Sequence, residues 1–152
     1  MNLLSALDDE LVRIRSAMRR PAYRRRFLEG VAVDGGITTV RVLRSVERLG
    51  ASQSVSIRDV AEWLGIEHST ASRAVDTAVR AGLLNRLACV DDRRKAVLTL
   101  TQSGVAILEK ASQQRQDFLS LVTEGWETSE IERLLLLLGR LNDDFEQVRV
   151  DT

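Results

Sequence analysis

Ser69, Thr70, Ser72, Arg73 and Thr77 bring four hydroxyls and a guanidinium to one short stretch at helical spacing. Laid out at roughly 100° per residue from Ser69, Arg73, Asp76 and Arg80 fall within about 40° of the origin. Thr77 and Thr70 lie near about 80° and 100°, and Ser72 near about −60°. Ala71, Ala74, Val75 and Ala78 cluster opposite, between roughly 140° and 240°. One side is small and apolar, suited to packing. The other can bond phosphates and base edges, with Arg73 able to grip a guanine bidentately. His68, the one histidine, stands at the start of the stretch and reads either as a base or phosphate contact or as an exposed turn residue. The competing reading is an ordinary surface helix, whose polar side would usually be richer in Glu and Lys.

A second group lies downstream in the run Asp91-Asp92-Arg93-Arg94-Lys95. A charged loop held between two strands can reach a minor groove, where narrow walls concentrate negative potential and favour arginine. Arg93, Arg94 and Lys95 are the candidate contacts. Asp92 stands two residues before Arg94, close enough to brace and aim its guanidinium. The alternative is a solvated turn whose charges keep an edge strand soluble.

Other chemistry is poorly supplied. General acid–base or nucleophilic catalysis needs converging groups with tuned pKa values. One histidine, one cysteine (Cys89) and no glycine-rich phosphate loop do not provide them. Cys89 and His68 alone cannot close a zinc site. No enzyme, metal or cofactor is expected.

The elements that would position these residues are legible. Ser56 can cap a helix over 56–64, with Val60, Ala61 and Leu64 on its inner side. Gly65 falls where the chain must reverse, in a conformation that is cheap only for glycine. Ile66 plugs the turn, and a second helix over 68–81 stops at Gly82. Glu67 is a weak cap for it. This pattern is a helix-turn-helix. Leu84 to Thr101 loses the helical period and reads as a hairpin with a charged tip. Before the motif, a loop ends at Gly35-Gly36 and a helix covers 37–49. After it, a long helix covers 102–124, and Ser129 with Glu132 offers a capping box for a last helix to about residue 148.

At 152 residues the chain fits one domain, 1–152, with the reading head at 37–101. Net charge is zero, but residues 1–50 hold ten Lys/Arg against six Asp/Glu, and residues 102–152 hold five against ten. The acid thus sits away from the hydroxyl-rich helix. Arg19, Arg20, Arg24, Arg25 and Arg26 suit solvated helix ends as well as phosphate contact. No signal-peptide pattern and no membrane-length apolar run are present, and the unpaired cysteine fits a reducing cytoplasm.

Leu4, Leu7, Leu11, Ile14 and Met18 form an apolar stripe on a helix over 1–20. Ile131, Leu134, Leu135, Leu138, Leu141, Phe145 and Val148 form another within 102–150. On a monomer such stripes would leave a large apolar patch, so intertwining with a second copy is expected. The alternative is that they pack on each other within one chain. The fold class expected is mainly α with a small β wing: a winged helix-turn-helix flanked by N- and C-terminal dimerisation helices. The rival use of that fold is a protein–protein interaction module, which would show large apolar anchors on the 69–80 face.

Residues 56–104 resemble the MarR family of bacterial transcriptional regulators. The resemblance is carried by Ile57-Arg58-Asp59-Val60-Ala61-Glu62-Trp63-Leu64-Gly65-Ile66, by Ser69-Thr70-Ala71-Ser72-Arg73, and by Ala81-Gly82-Leu83-Leu84 followed by Arg86. The wing pattern D-x-R, then L-T, then G appears as Asp92-Arg93-Arg94, Leu100-Thr101 and Gly104. The resemblance implies six helices with a wing between the fourth and fifth, and a homodimer on a pseudo-palindromic double-stranded DNA operator, usually repressing. It implies Arg94 in the minor groove supported by Asp92, and Arg73 in the major groove. Many members release DNA when a small phenolic or lipophilic ligand binds between the dimer and DNA-binding regions. Some sense oxidants through a cysteine in the first helix, a position that holds none here.

Overall fold

A computed structural model describes residues 2–88 and 96–150, with side chains to residue 148. The helices are α1 (Leu3–Arg19), α2 (Pro21–Phe27), α3 (Gly36–Gly50), α4 (Ile57–Leu64), α5 (His68–Arg80), α6 (Gln102–Val122) and α7 (Thr128–Val150). Strands β1 (Leu84–Ala88) and β2 (Ala96–Leu100) lie between α5 and α6. They pair antiparallel with Leu84 opposite Leu100 and Ala88 opposite Ala96. Val55 extends the pairing by one bridge, accepting from the Leu98 N–H at 2.8 Å. The fold is thus mainly helical with a small two-stranded wing.

The chain divides into two compact units, Met1–Gln116 and Asp117–Thr152. In the first, α3 is the central post, burying Val40, Val42, Leu43 and Val46. Ala71, Val75 and Ala78 of α5 pack into the same core at three- and four-residue spacing, as do Val60 and Ala61 of α4. Leu84 and Leu98 bring the hairpin into it, and Leu108 and Ala111 bring α6. The two buried polar side chains of α3 are satisfied. Ser45 Oγ donates to the Val42 carbonyl at 2.7 Å, and Thr39 Oγ1 to that of Asp34 at 2.5 Å.

The helix ends follow local chemistry. Ser56 and Asp59 form a reciprocal capping box at the start of α4. Gly65 ends α4 at φ 63°, and Ile66 donates back to the Ala61 carbonyl at 3.1 Å, a Schellman closure. Nothing stands within 4 Å of where a Cβ would go, so the backbone angle alone selects glycine there.

Two elements differ from the sequence expectation. The segment read as a loop before Gly35-Gly36 contains α2. Pro21 opens this helix, a position where its missing N–H costs nothing, and Tyr23 and Phe27 stack at 6.4 Å one turn apart. Arg24, Arg25 and Arg26 fall in its last turn, where cations complement the exposed carbonyls. The subunit accordingly has seven helices among the described residues rather than six. The side-chain cap at the start of the last helix is also two residues earlier than Ser129 and Glu132 suggested: the Glu127 N–H donates to Glu130 Oε2 at 2.9 Å.

Candidate nucleic-acid interface

α5 carries the hydroxyl-and-arginine set, and its orientation is fixed from behind. Ala71, Val75 and Ala78 are completely buried against α3 and α4, so the opposite side must face outward. His68, Ser69, Thr70 and Arg73 are exposed there, and Ser72 is half-buried. The Glu67 side chain makes no cap bond at the helix start, leaving the first-turn N–H groups of α5 without a side-chain partner there. Arg73, Arg80 and the first-turn hydroxyls thus present donors on a rigid support.

Thr77 is placed differently from its neighbours. It is half-buried, and its hydroxyl donates to the Arg73 carbonyl at 3.0 Å. Its methyl lies toward the N-terminus of α3, 3.4 Å from where a Cβ on Gly35 would stand. The Arg80 Nη2 lies 3.5 Å from the same hydroxyl.

Asp76 puts a negative charge on the exposed face, and it is not left alone. The Arg86 Nη1 of β1 reaches its Oδ1 at 3.1 Å. Both side chains remain partly exposed, so the contact adds little stability. It does tie the wing to α5 and cancels an acid beside the candidate donors. Sequence reasoning placed Asp76 on this face and did not find its partner; the two residues are ten apart and on different elements.

The base of the wing is anchored by a second constellation. Thr101 Oγ1 donates to the Gly82 carbonyl at 2.7 Å and accepts from the Gly104 N–H at 3.0 Å. The Thr101 N–H donates to the Leu83 carbonyl at 3.1 Å. A Cβ on Gly104 would sit 2.2 Å from that carbonyl oxygen, so only glycine fits. The Leu-Thr-x-x-Gly pattern is therefore the joint fastening α6 to the end of α5. The hairpin tip assigned to groove contact, Arg93, Arg94 and Lys95 with Asp92 as support, lies outside the described residues, as does Cys89.

The candidate dimerisation residues are largely uncovered in the single chain. Leu4, Leu7 and Ile14 of α1 are exposed, and Leu11 is half-buried. No residue of α1 is fully buried. On α7, Leu134, Leu138 and Phe145 are exposed, and Ile131 and Leu141 half-buried. Leu135, Leu136 and Leu137 are exposed as well, so apolar surface runs all round that turn rather than along one stripe.

A post helix, a helix-turn-helix and a two-stranded hairpin in this order define a winged-helix protein. A MarR family sequence profile matches residues 36–95. The HTH-type transcriptional regulator PecS of Dickeya dadantii is 27% identical over 100 residues, 66% of this chain and 60% of that protein. The chain therefore spans less than two thirds of that relative's length. A MarR family protein from Bacillus stearothermophilus superposes with a TM-score of 0.75 at 21% identity, covering 96% of this chain and 99% of that one. A mutant of S. aureus MepR, bound to oligodeoxyribonucleotide, superposes at 0.60 and 18% identity over 90% and 96% of the two chains. Such identities establish the shared fold. Residues 36–95 thus resemble the MarR family in sequence, and the fold is that of MarR winged-helix proteins. Among the described residues no helix is long and apolar enough to cross a membrane.

Proposed function

We propose that this chain is a sequence-specific DNA-binding regulator that works as a cytoplasmic homodimer on an inverted-repeat operator, normally as a repressor released by a small ligand. The observation that carries the reading is α5: a helix fully buried along one side, offering Ser69, Thr70 and Arg73 along the other. In helix-turn-helix proteins that arrangement puts the start of the helix into the major groove. Arg73 reads a base edge, and Ser69, Thr70, Ser72 and His68 bond phosphates or bases. The hairpin tip, with Arg93, Arg94 and Lys95 aimed by Asp92, enters the neighbouring minor groove. Thr77 acts at the back of this surface, holding α5 against α3. The oligonucleotide in the MepR structure supports the partner class.

Exposed leucines on α1 and α7 support a dimer, since such a patch on a lone subunit is costly in water. Two-fold symmetry then sets two recognition helices about 34 Å apart, one turn of DNA. The rival reading, a protein-binding winged helix, lacks support on the exposed side of α5, whose outward residues are polar.

The deciding experiment is selection of bound duplexes from a random pool by the purified protein. Recovery of an inverted repeat with half-sites one helical turn apart is the expected result. Recovery of no enriched sequence, with binding that vanishes at physiological salt, overturns it.

A further inference from the structure

The segment between α2 and α3, residues 28–35, is irregular in backbone yet fixed at both ends. Phe27 and Val31 are buried in the core, and the Val31 N–H donates to the Leu28 carbonyl at 2.8 Å. At the far end Gly35 and Gly36 take left-handed backbone, at φ 79° and 57°, and the Gly36 N–H donates to the Val33 carbonyl at 3.1 Å. The buried Thr39 hydroxyl, donating to the Asp34 carbonyl, pins this turn to the first turn of α3. A Cβ on Gly35 would collide with that hydroxyl, so the turn has no slack.

Thr77 meets this turn from α5. Its Cγ2 lies 3.4 Å from the point that a Cβ on Gly35 would occupy, and the residue is half-buried. Its hydroxyl is already engaged within the helix, donating to the Arg73 carbonyl at 3.0 Å and accepting from Arg80 Nη2 at 3.5 Å. The bond back to the carbonyl four residues earlier selects the side-chain rotamer and so aims the methyl at Gly35. The alanines that pack α5, Ala71 and Ala78, bring it close to its neighbours but project little to stop it sliding. A methyl against a rigid glycine turn supplies that stop.

We propose that Thr77 is a positioning residue of the recognition helix, acting through its methyl on the Gly35-Gly36 turn and not through its hydroxyl on DNA. The proposal rests on the DNA-binding reading and adds to it the device that sets where α5 lies. Arg73 stands one helical turn before Thr77 on the same rigid helix, and Ser69 stands two turns before it. A sidestep of α5 at Thr77 therefore displaces the donors meant for base edges, whose bonds are directional and lose most by it. Phosphate contacts carry no base information and are kept on any sequence. Loss of the methyl should then cost preference for the operator more than affinity for DNA in general.

The test compares Thr77→Val, which keeps the methyl and removes the hydroxyl, with Thr77→Ser, which does the reverse. Fluorescence anisotropy of the full-length protein at fixed salt measures binding to the selected operator duplex and to a scrambled duplex of the same composition. Thr77→Ser should weaken operator binding at least about threefold and leave the scrambled duplex unchanged. Thr77→Val should keep the wild-type ratio of the two affinities. A hydroxyl that touched DNA would give the opposite order. Gly35→Ala, which pushes the Thr39 hydroxyl off the turn, should lower the ratio as Thr77→Ser does; the Thr77 pair decides by itself if that variant folds poorly. An unchanged ratio in Thr77→Ser or in a folded Gly35→Ala, a ratio lost in Thr77→Val, or equal loss on both duplexes overturns the proposal. A wild-type protein that binds both duplexes alike instead fails the regulator reading, and the positioning role falls with it.

Discussion

Arg86 on β1 and Asp76 on α5 form an ion pair, Nη1 to Oδ1 at 3.1 Å, that fastens the wing to the helix beside it. The acid stands on the same side of α5 as Ser69 and Arg73, where an unpaired carboxylate would repel phosphates. On the proposed DNA-facing surface the pair would therefore matter to binding more than to stability.

The first prediction separates those two effects. Arg86→Ala should shift the stability of the fold by less than about 1 kcal/mol, because both partners are partly exposed. Operator affinity should fall severalfold, as Asp76 becomes an uncompensated charge. Adding Asp76→Asn should restore most of the loss. Fluorescence anisotropy at fixed salt on the four proteins of the double-mutant cycle measures it. Additive losses in the double variant would show that the pair has no such role.

Arg73 and Arg94 are assigned different grooves, and their variants should differ accordingly. Arg73→Ala and Arg94→Ala should each weaken operator binding by about 1–3 kcal/mol while leaving fold and dimer intact. Arg73→Ala should also relax preference at one base position. Gel shifts on an operator series with single substitutions report both quantities. Wild-type affinity in both variants rejects the site.

The joint at the foot of the wing gives a stability prediction. Gly104→Ala places a Cβ 2.2 Å from the Leu83 carbonyl oxygen, a backbone atom that cannot easily step aside. A loss of roughly 2 kcal/mol or more is expected, in the range of overpacked sites. Thr101→Ala removes the bonds to Gly82 and Gly104 and should cost about 1 kcal/mol, as helix caps do. Thermal melts followed by circular dichroism suffice. A Gly104→Ala protein melting with the wild type would mean that α6 does not approach β1 so closely.

The parts of this architecture legible in the sequence are those set by local rules. Ser56 with Asp59, Gly65, and the Ala71-Val75-Ala78 side of α5 each carry their reason within four residues. The hairpin is legible too, from apolar or β-branched ends about a charged middle. α2 escaped because three consecutive arginines mask its apolar pair, Tyr23 and Phe27, even though Pro21 is a favoured opening residue. The shift of the α7 cap from Ser129 to Glu127 is a choice between two nearby carboxylates, Glu130 and Glu132, that spacing alone does not rank. The Asp76–Arg86 pair and the seating of Thr77 against Gly35 join residues from different elements, and no periodicity connects them.

The dimer is the last matter to test, and α1 is the place. None of its residues is fully buried in the single chain, and Leu4, Leu7 and Ile14 stand exposed. The core of the first unit is formed by α2 through Phe27, by α3, α4, α5, the hairpin and α6, and none of its buried residues comes from α1. Removing residues 1–18 should therefore leave a cooperative thermal transition while abolishing the dimer, as read by analytical ultracentrifugation. Leu7→Asp with Ile14→Asp should weaken it in the full-length chain, since each charge would have to be buried unpaired in the interface. A truncated protein that sediments as a stable dimer would move the interface off α1, leaving the exposed leucines of α7, Leu134 to Leu138, to form it by themselves.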